Sequence, residues 1–461
     1  METAFQEYMQ RFEEDDFDGA LVAELIEVFG PRRTHMKAMY ERYKANGKFI
    51  PAMTKELPIQ TAFDSRVAGD YISEAVDLKI GYFAGVPIAY SYDSEMPEAE
   101  AATDVLKRFN RLNRIQDLDS ETAKWSAITG YGVRLLYIDE ELRERVMNVP
   151  SYDCIFIGEL TEPTAGLRMY QDGEDLKVDV YTAQRVVTFL ETDGEYTPVE
   201  DELNVFQAVP LIGYPNNSEL QGDCDKVLPI IDGIDEVLSN SLSEDTAQRL
   251  AYMAFEGGQI SSEDLAEARA NGAFMVPAGG KVYFITKDIN DTARQNLLTH
   301  LVSDFYRFTK TPNLRDEAFT GNSSGVALKF QLFPFNAKVT TFQRKFESGT
   351  LQMFTALANV WGLRGNAFDP LNVYLEFTEN FPLDLLNEAQ VQQTLAGLVS
   401  EETRLGLFSA IDNPKEELEQ MQQEQQDKAF MGSNEIDTNQ DATDDAVPDA
   451  PVDAASQFVT E

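Results

Sequence analysis

The sequence predicts an α+β protein of more than one domain, on three observations. Apolar residues recur at spacings of three and four through the N-terminal region and again after Val227, the period of a helix face. Runs of β-branched and aromatic residues are instead concentrated between Val133 and Ile212, with Asp-Gly turns between them. The length, 461 residues, exceeds one hydrophobic core, which rarely grows past roughly 250–300 residues.

Taken in order, Phe5, Met9 and Phe12, then Leu21, Leu25, Val28 and Phe29, give a helical pattern that Gly30-Pro31 should break. A second helix over 32–43 carries Arg and Lys on one face, read as solvated, and closes at Asn46-Gly47. Residues 64–84 are helical until Gly81, Gly85 and Pro87 turn the chain into an extended segment. Helices follow over 101–113 and 119–129, and Gly130-Tyr131-Gly132 leads into a strand over 133–138. That strand opens a small antiparallel β region, with Val178-Asp179-Val180-Tyr181 and Arg185-Val186-Val187-Thr188-Phe189-Leu190 among its runs.

The clearest helix spans 227–250. Val227, Ile230, Ile231, Ile234, Val237, Leu238 and Leu242 form one stripe, while Asp232, Asp235, Glu236, Glu244 and Asp245 are assigned to the surface. So narrow a stripe on a long helix requires partner helices. An insert over 251–287 holds strand-like runs at 273–276 and 281–285 and a helix at 262–270. A second striped helix over 291–308, through Leu297, Leu298, Leu301, Val302, Phe305 and Phe308, makes the pair bracket the insert like a stalk and its tip. Residues 312–326 are polar and turn-forming, and 327–363 return to a long helix that Pro334 should kink. A strand at 373–377 and helices at 385–398, 401–408 and 415–428 complete the body. Past Gly432 the composition is that of a disordered acidic tail.

Charge narrows the function. With 38 Lys+Arg against 79 Asp+Glu the net charge is −41, and setting aside the eight acids after Gly432 still leaves −33 on the body. Such a field repels phosphate and argues against a repressor or polymerase, which would show a basic face. Cys154, Cys224, His35 and His300 form no metal-ligand spacing and no disulfide framework. Met1 opens a polar stretch without a signal core, and no apolar run is long enough to cross a bilayer, so cytosolic synthesis is expected.

Gly321-Asn322-Ser323-Ser324-Gly325 matches the serine nucleophile elbow, so a soluble hydrolase using Ser323, or a carboxylate pair, is the competing reading. It lacks the preceding strand, and no histidine follows Ser323. Gly47-Lys48 and Gly280-Lys281 are followed by Phe49 and Val282, which excludes a Walker-type phosphate loop. Glu13-Glu14 and Asp15-Asp16 are chance pairs in so acidic a chain. Asp437, Asn439, Asp441 and Asp445 imitate a calcium loop without its glycine or closing glutamate. No catalytic residue, metal or cofactor is expected. A third reading, an acidic scaffold binding a basic partner, sits poorly with the stripe over 227–250.

Four stretches together resemble the portal proteins of tailed bacteriophages, particularly those of long-tailed phages of Gram-positive hosts. They are the turn from Asp77 to Ile88 (Asp-Leu-Lys-Ile-Gly-Tyr-Phe-Ala-Gly-Val-Pro-Ile), the helix 228–242, Ser324-Gly325-Val326-Ala327-Leu328-Lys329, and 398–405 with Asp412-Asn413-Pro414-Lys415-Glu416-Glu417. The resemblance implies a portal-protein fold assembled as a ring, usually of twelve subunits, at one capsid vertex. It divides the chain into a wing (1–226), a first stem helix (227–250), a clip (251–287) and a second stem helix (288–311). A tunnel loop (312–325), a kinked helix with a wing return (326–382), a crown (383–427) and the acidic tail (428–461) follow.

By the same resemblance Arg315, Asp316, Thr320, Asn322, Ser323, Ser324 and Gly325 line the channel, with Lys310 and Lys329 as further basic residues near DNA. Glu256, Gln259, Glu263, Asp264 and Glu267 present the clip to partners. The implied partners are double-stranded DNA, held without sequence preference, the terminase large subunit, a head-completion adaptor, and the major capsid and scaffolding proteins. No membrane is involved; the protein would be made in the host cytoplasm and reside at the virion's portal vertex. An acidic channel wall would keep a duplex centred, acting within a Debye length of about 8 Å at physiological salt.

Overall fold

The computed structural model describes residues 2–15, 17–45, 66–248, 252–256, 263, 279–285, 291–315, 325–380, 385–406 and scattered positions from 411 to 423. The chain divides into two units, 1–381 and 382–461.

Two N-terminal helices, α1 (Glu2–Glu13) and α2 (Gly19–Tyr43), lie on a five-stranded sheet. The Asp18 carboxylate accepts the Leu21 N–H at 2.9 Å and caps α2. The sheet is an antiparallel meander of β4 to β8, and it follows three earlier strands. Those are β1 (Ala89–Tyr92), β2 (Tyr131–Ile138) and β3 (Glu144–Val149). The meander itself comprises β4 (Cys154–Glu159), β5 (Glu162–Asp172), β6 (Asp175–Tyr181), β7 (Arg185–Thr192) and β8 (Glu195–Leu203), in that spatial order. Its tight turns place Gly173 and Gly194 at φ of 64° and 86°, where a side chain would be strained. Ile157, Leu167, Val178, Val180 and Phe189 pack against Phe12, Leu21, Val22 and Leu25, and strand alternation sends Asp179 and Tyr181 to the other face.

The larger core is built around helices. α3 (Tyr71–Ala84), α4 (Ala99–Asn113) and α5 (Ile115–Thr129) precede β2, and β9 (Leu211–Pro215) joins β2 and β3 in a sheet ordered β3-β2-β9. α6 (Leu228–Gln248) and α7 (Asp291–Thr309) pack on each other, and β10 (Tyr252–Glu256) and β11 (Lys281–Ile285) pair antiparallel between them. The 39-residue helix α8 (Gly325–Leu363) then crosses β9. Phe83, Tyr214, Phe342, Phe346 and Phe377 stack around that crossing. β12 (Val373–Glu376) returns to pair antiparallel with β1.

Arg134, fully buried, ties this core together. It donates to the Asp119 carboxylate at 2.7 Å, the Thr122 hydroxyl at 2.8 Å and the Tyr214 hydroxyl at 3.2 Å. The second unit contains α9 (Leu385–Leu395) and α10 (Glu401–Gly406), joined by a 2.6 Å hydrogen bond from Gln392 to the Arg404 carbonyl.

Several sequence expectations change. Gly30-Pro31 does not break α2, which runs through both. Proline has no N–H to give the Glu27 carbonyl, but Glu27 and Pro31 are both exposed, so that oxygen lies on the solvent side. The basic face of 32–43 is not simply solvated. Arg32 donates to the Leu220 carbonyl at 3.2 Å, and Arg33 and Arg42 pair at 2.6 Å with Asp153 and Asp232. Helix 64–84 begins only at Tyr71, because the Gly69 N–H is taken up by a 2.8 Å bond to the Asp235 carboxylate. Asp235, assigned to the surface, is therefore buried. The first strand of the insert is β10, which the sequence missed; 273–276 lies outside the described residues, as does the tail after Gly432.

Candidate channel and docking site

The helix pair α6 and α7 ends on one side at the β10–β11 pair and on the other at the start of the polar segment after Thr309. α7 is buried mainly through Phe305, whereas Leu297 and Phe308 of its predicted stripe are half exposed. The first turns of α8 likewise expose Phe330 and Phe333, at 77% and 68%. Between these two helices opens a groove of about 770 Å³ lined by Leu298, Val302, Tyr306, Lys310, Gln331 and Pro334. So much aromatic surface in the open is characteristic of a face that another molecule covers.

Both flanks of residues 310–324 are anchored by a buried charge cluster. The Lys338 ammonium of α8 donates to the Thr309 carbonyl at 3.0 Å, at the electronegative end of α7. It also pairs with the Asp223 carboxylate at 3.1 Å. Lys79 of α3, completely buried, reaches the same carboxylate at 3.2 Å and the Asn216 side-chain carbonyl at 2.6 Å. Asn216 in turn donates to Asp223 at 2.8 Å, and the Asp223 N–H donates to the Ala127 carbonyl at 2.7 Å.

Electrostatics follow from this packing. Burial pushes the Lys79 ammonium down to about 8, against the pull of Asp223. Burial works the other way on Asp223, but Lys338 and Lys79 outweigh it and hold the carboxyl at about 2. Burial pushes the neighbouring Cys224 thiol up to about 12, so it is an inert packing group. Two lysines around one carboxylate leave the cluster net cationic and dry, suited to locking elements together and not to exchanging protons with substrate.

The expected site residues distribute unevenly. Lys310, at φ 59°, closes α7 and is exposed. Arg315 is exposed beside a second recess lined by Tyr71, Glu74 and Tyr306, and its N–H donates to Asn313 at 3.1 Å. Gly325 is the first residue of α8 and so belongs to the helix. Lys329 lies in the first turns of α8. Asp316, Thr320, Asn322, Ser323 and Ser324 lie outside the described residues. Glu256 ends β10 opposite Lys281, and Glu256 and Glu263 are both exposed, while Gln259, Asp264 and Glu267 lie outside the described residues. Sequence reasoning missed Lys79, Asn216, Asp223 and Lys338; the one available signal was a lysine set between Leu78 and Ile80 in the apolar second half of the helix. Among the described residues no group of His, Cys, Asp and Glu is arranged to hold a metal ion, and no helix is long and apolar enough to cross a membrane.

Comparison with known proteins gives this arrangement a context. The chain is 23% identical over 446 residues to the portal protein of Bacillus phage SPP1, covering 90% of this chain and 86% of that one. It is 24% identical over 394 residues to the portal protein of Clostridium phage phiCD119, covering 78% and 85%. Among solved structures, the neck of a native GTA particle computed with C12 symmetry aligns with a TM-score of 0.43 at 13% identity, over 74% of this chain and 90% of that one. Residues 24–429 match the family described as phage portal protein, SPP1 Gp6-like, and the chain belongs to that family of structural phage proteins.

Proposed function

We propose that the chain closes with identical copies, twelve by the usual count of portal proteins, into a ring at one capsid vertex, and that its central channel conducts double-stranded DNA during packaging and ejection. The observation that carries this reading is the family match over residues 24–429. The aromatic rings left open on α7 and α8 support it, because a ring gives both helices a neighbour to pack against.

In this reading α6 and α7 are the stem and the β10–β11 insert is the clip, presented to the terminase large subunit and then to a head-completion adaptor. Residues 312–324 form the tunnel loop, with Arg315 and Lys310 at its near flank and Lys329 at its far flank. The Lys79–Asp223–Lys338 cluster holds those flanks while the loop between them meets DNA. Residues 383–427 form the crown inside the capsid, where the major capsid and scaffolding proteins surround the ring. The work of the protein is that of a conduit and platform, without catalysis; the packaging motor supplies the energy. An acidic wall repels phosphate and lets a duplex slide.

The mass of the native assembly tests this. Native mass spectrometry of the full chain is expected to show a closed oligomer of about a dozen 51.7 kDa subunits, with a central hole in negatively stained averages. A compact dimer at every concentration, with activity toward ester substrates lost on Ser323→Ala, would replace the conduit with a hydrolase.

A further inference from the structure

α4 ends in a basic face that no described residue of its own subunit pairs with. Lys107, Arg108, Arg111 and Arg114 are all exposed, and none makes an ion pair among the described residues. Positions 107 and 111 fall on one side of the helix, with 108 beside them, and Arg114 follows as the left-handed cap residue that ends it. Arg108, Arg143 and Arg364 also rim a recess of about 90 Å³ lined by Phe109 and Trp361. Arg143 and Arg364 are engaged with Asp139 at 2.9 Å and Glu144 at 2.7 Å, so the unspent charge belongs to α4. In a chain with 38 cations against 79 acids, four free cations on one helix end are a concentration that composition does not explain.

The complement lies on the other core of the same subunit. In the antiparallel meander the β5–β6 and β7–β8 turns emerge at the same end, and they expose Asp172, Glu174, Asp175, Asp193 and Glu195. Lys177 pairs with Asp172 at 2.7 Å and its charge also reaches Asp175, while Glu174, Asp193 and Glu195 make no ion pair with a described residue. The two tips stand two strand spacings apart, about 10 Å. From Lys107 to Asn113 the helix advances about 9 Å, and Arg114 follows at its end. α4 is embedded in the larger core through Leu106 and Phe109, whereas the meander belongs to the core of α1 and α2.

We propose that the basic end of α4 in one subunit receives the acidic β5–β6 and β7–β8 tips of the next, as a head-to-tail contact that sets the rotation between neighbours. The proposal rests on the ring reading above. Two different patches on each copy make a heterologous interface, the kind that closes into rings. The acid excess that repels a duplex makes a second copy the complementary partner, and charges placed this way fix register and salt dependence.

The test reverses each face in the full chain. Lys107→Glu with Arg108→Glu and Arg111→Glu forms one variant, Glu174→Lys with Asp175→Lys and Glu195→Lys a second, and a third carries all six. Assembly is followed by native mass spectrometry against concentration and salt, with far-UV circular dichroism as the check on folding; Gln replaces Glu or Lys if a reversal disturbs the fold. Each single-face variant is expected to need at least about tenfold more protein for half-assembly at low salt. The six-substitution chain is expected to recover rings, because its faces are again complementary. Rings that form as in the wild type in both single-face variants overturn this contact and leave the ring standing. So does loss that the third variant fails to recover, or a first variant whose intact rings merely stop retaining short duplex DNA. A wild-type chain that never forms rings overturns the ring and the contact together.

Discussion

Asp223 concentrates more of the architecture than any other single carboxylate near the loop, since its two oxygens hold Lys79 of α3 and Lys338 of α8. Asp223→Asn would leave the buried Lys79 ammonium facing the partly exposed Lys338 ammonium without a counter-charge, and its expected cost is about 3–5 kcal/mol, read by urea denaturation at neutral pH. The pH dependence has a definite sign. The Asp223 carboxyl sits at about 2 against an ordinary 3.8, so its contribution is complete above pH 3.8 and is lost as pH falls towards 2. Wild type and Asp223→Asn should therefore converge in stability on acidification through that window. Lys79 is shifted from 10.5 to about 8, so its burial penalty is fully present below pH 8 and relieved as pH rises towards 10.5. None of these partners could be read from the sequence, where Lys79, Asn216, Asp223 and Lys338 stand as unrelated polar residues.

Elements were more legible than contacts. Periodicity located α6 and α7 to within two residues, because an amphipathic stripe is a local signal. It failed at Pro31, where the exposed side of the helix tolerates the missing donor. Pro31→Ala should restore a donor for the Glu27 carbonyl and raise stability by about 1 kcal/mol, less than a buried helix proline would cost because that carbonyl is solvated. Thermal unfolding would register it. The crossing of α8 over β9 depends on an opposite requirement. A Cβ at Gly349 would lie 2.8 Å from the Gly213 carbonyl oxygen, so helix and strand meet backbone to backbone. Gly349→Ala is expected to destabilise by about 1–3 kcal/mol, since neither element can yield. The same measurement with a mutation to serine at solvent-facing Gly362, where a Cβ meets nothing, provides the contrast.

For the whole molecule, charge is the governing quantity. A net −41 per subunit opposes association, so the proposed ring would need apolar faces such as the open aromatic residues of α7 and α8, and local reversals of sign such as the proposed contact at the end of α4, to close. Shortening residues 322–324 should leave assembly intact and impair packaging, because the tunnel loop is proposed to face the channel and not the neighbour. Assembly mass and DNA packaged per particle separate the two effects. Rings that fail to form would relocate that segment to the subunit contact.

By itself the sequence determined the class of fold, the order of helices around a β region, the absence of a phosphate loop, and a resemblance carried by phrases spread over the chain. These are readable because periodicity, turn chemistry and composition are local or additive. Tertiary structure alone decided which strands pair, as in β1 with β12 across nearly 300 residues, roughly the separation of Tyr90 from Leu375. It also decided that α2 continues through Pro31, that Asp235 is buried, and that Lys79 and Lys338 share one carboxylate. The burial of Asp235 and the carboxylate shared by Lys79 and Lys338 depend on groups distant in sequence meeting in the interior, where burial and pairing set free energies that no single segment encodes.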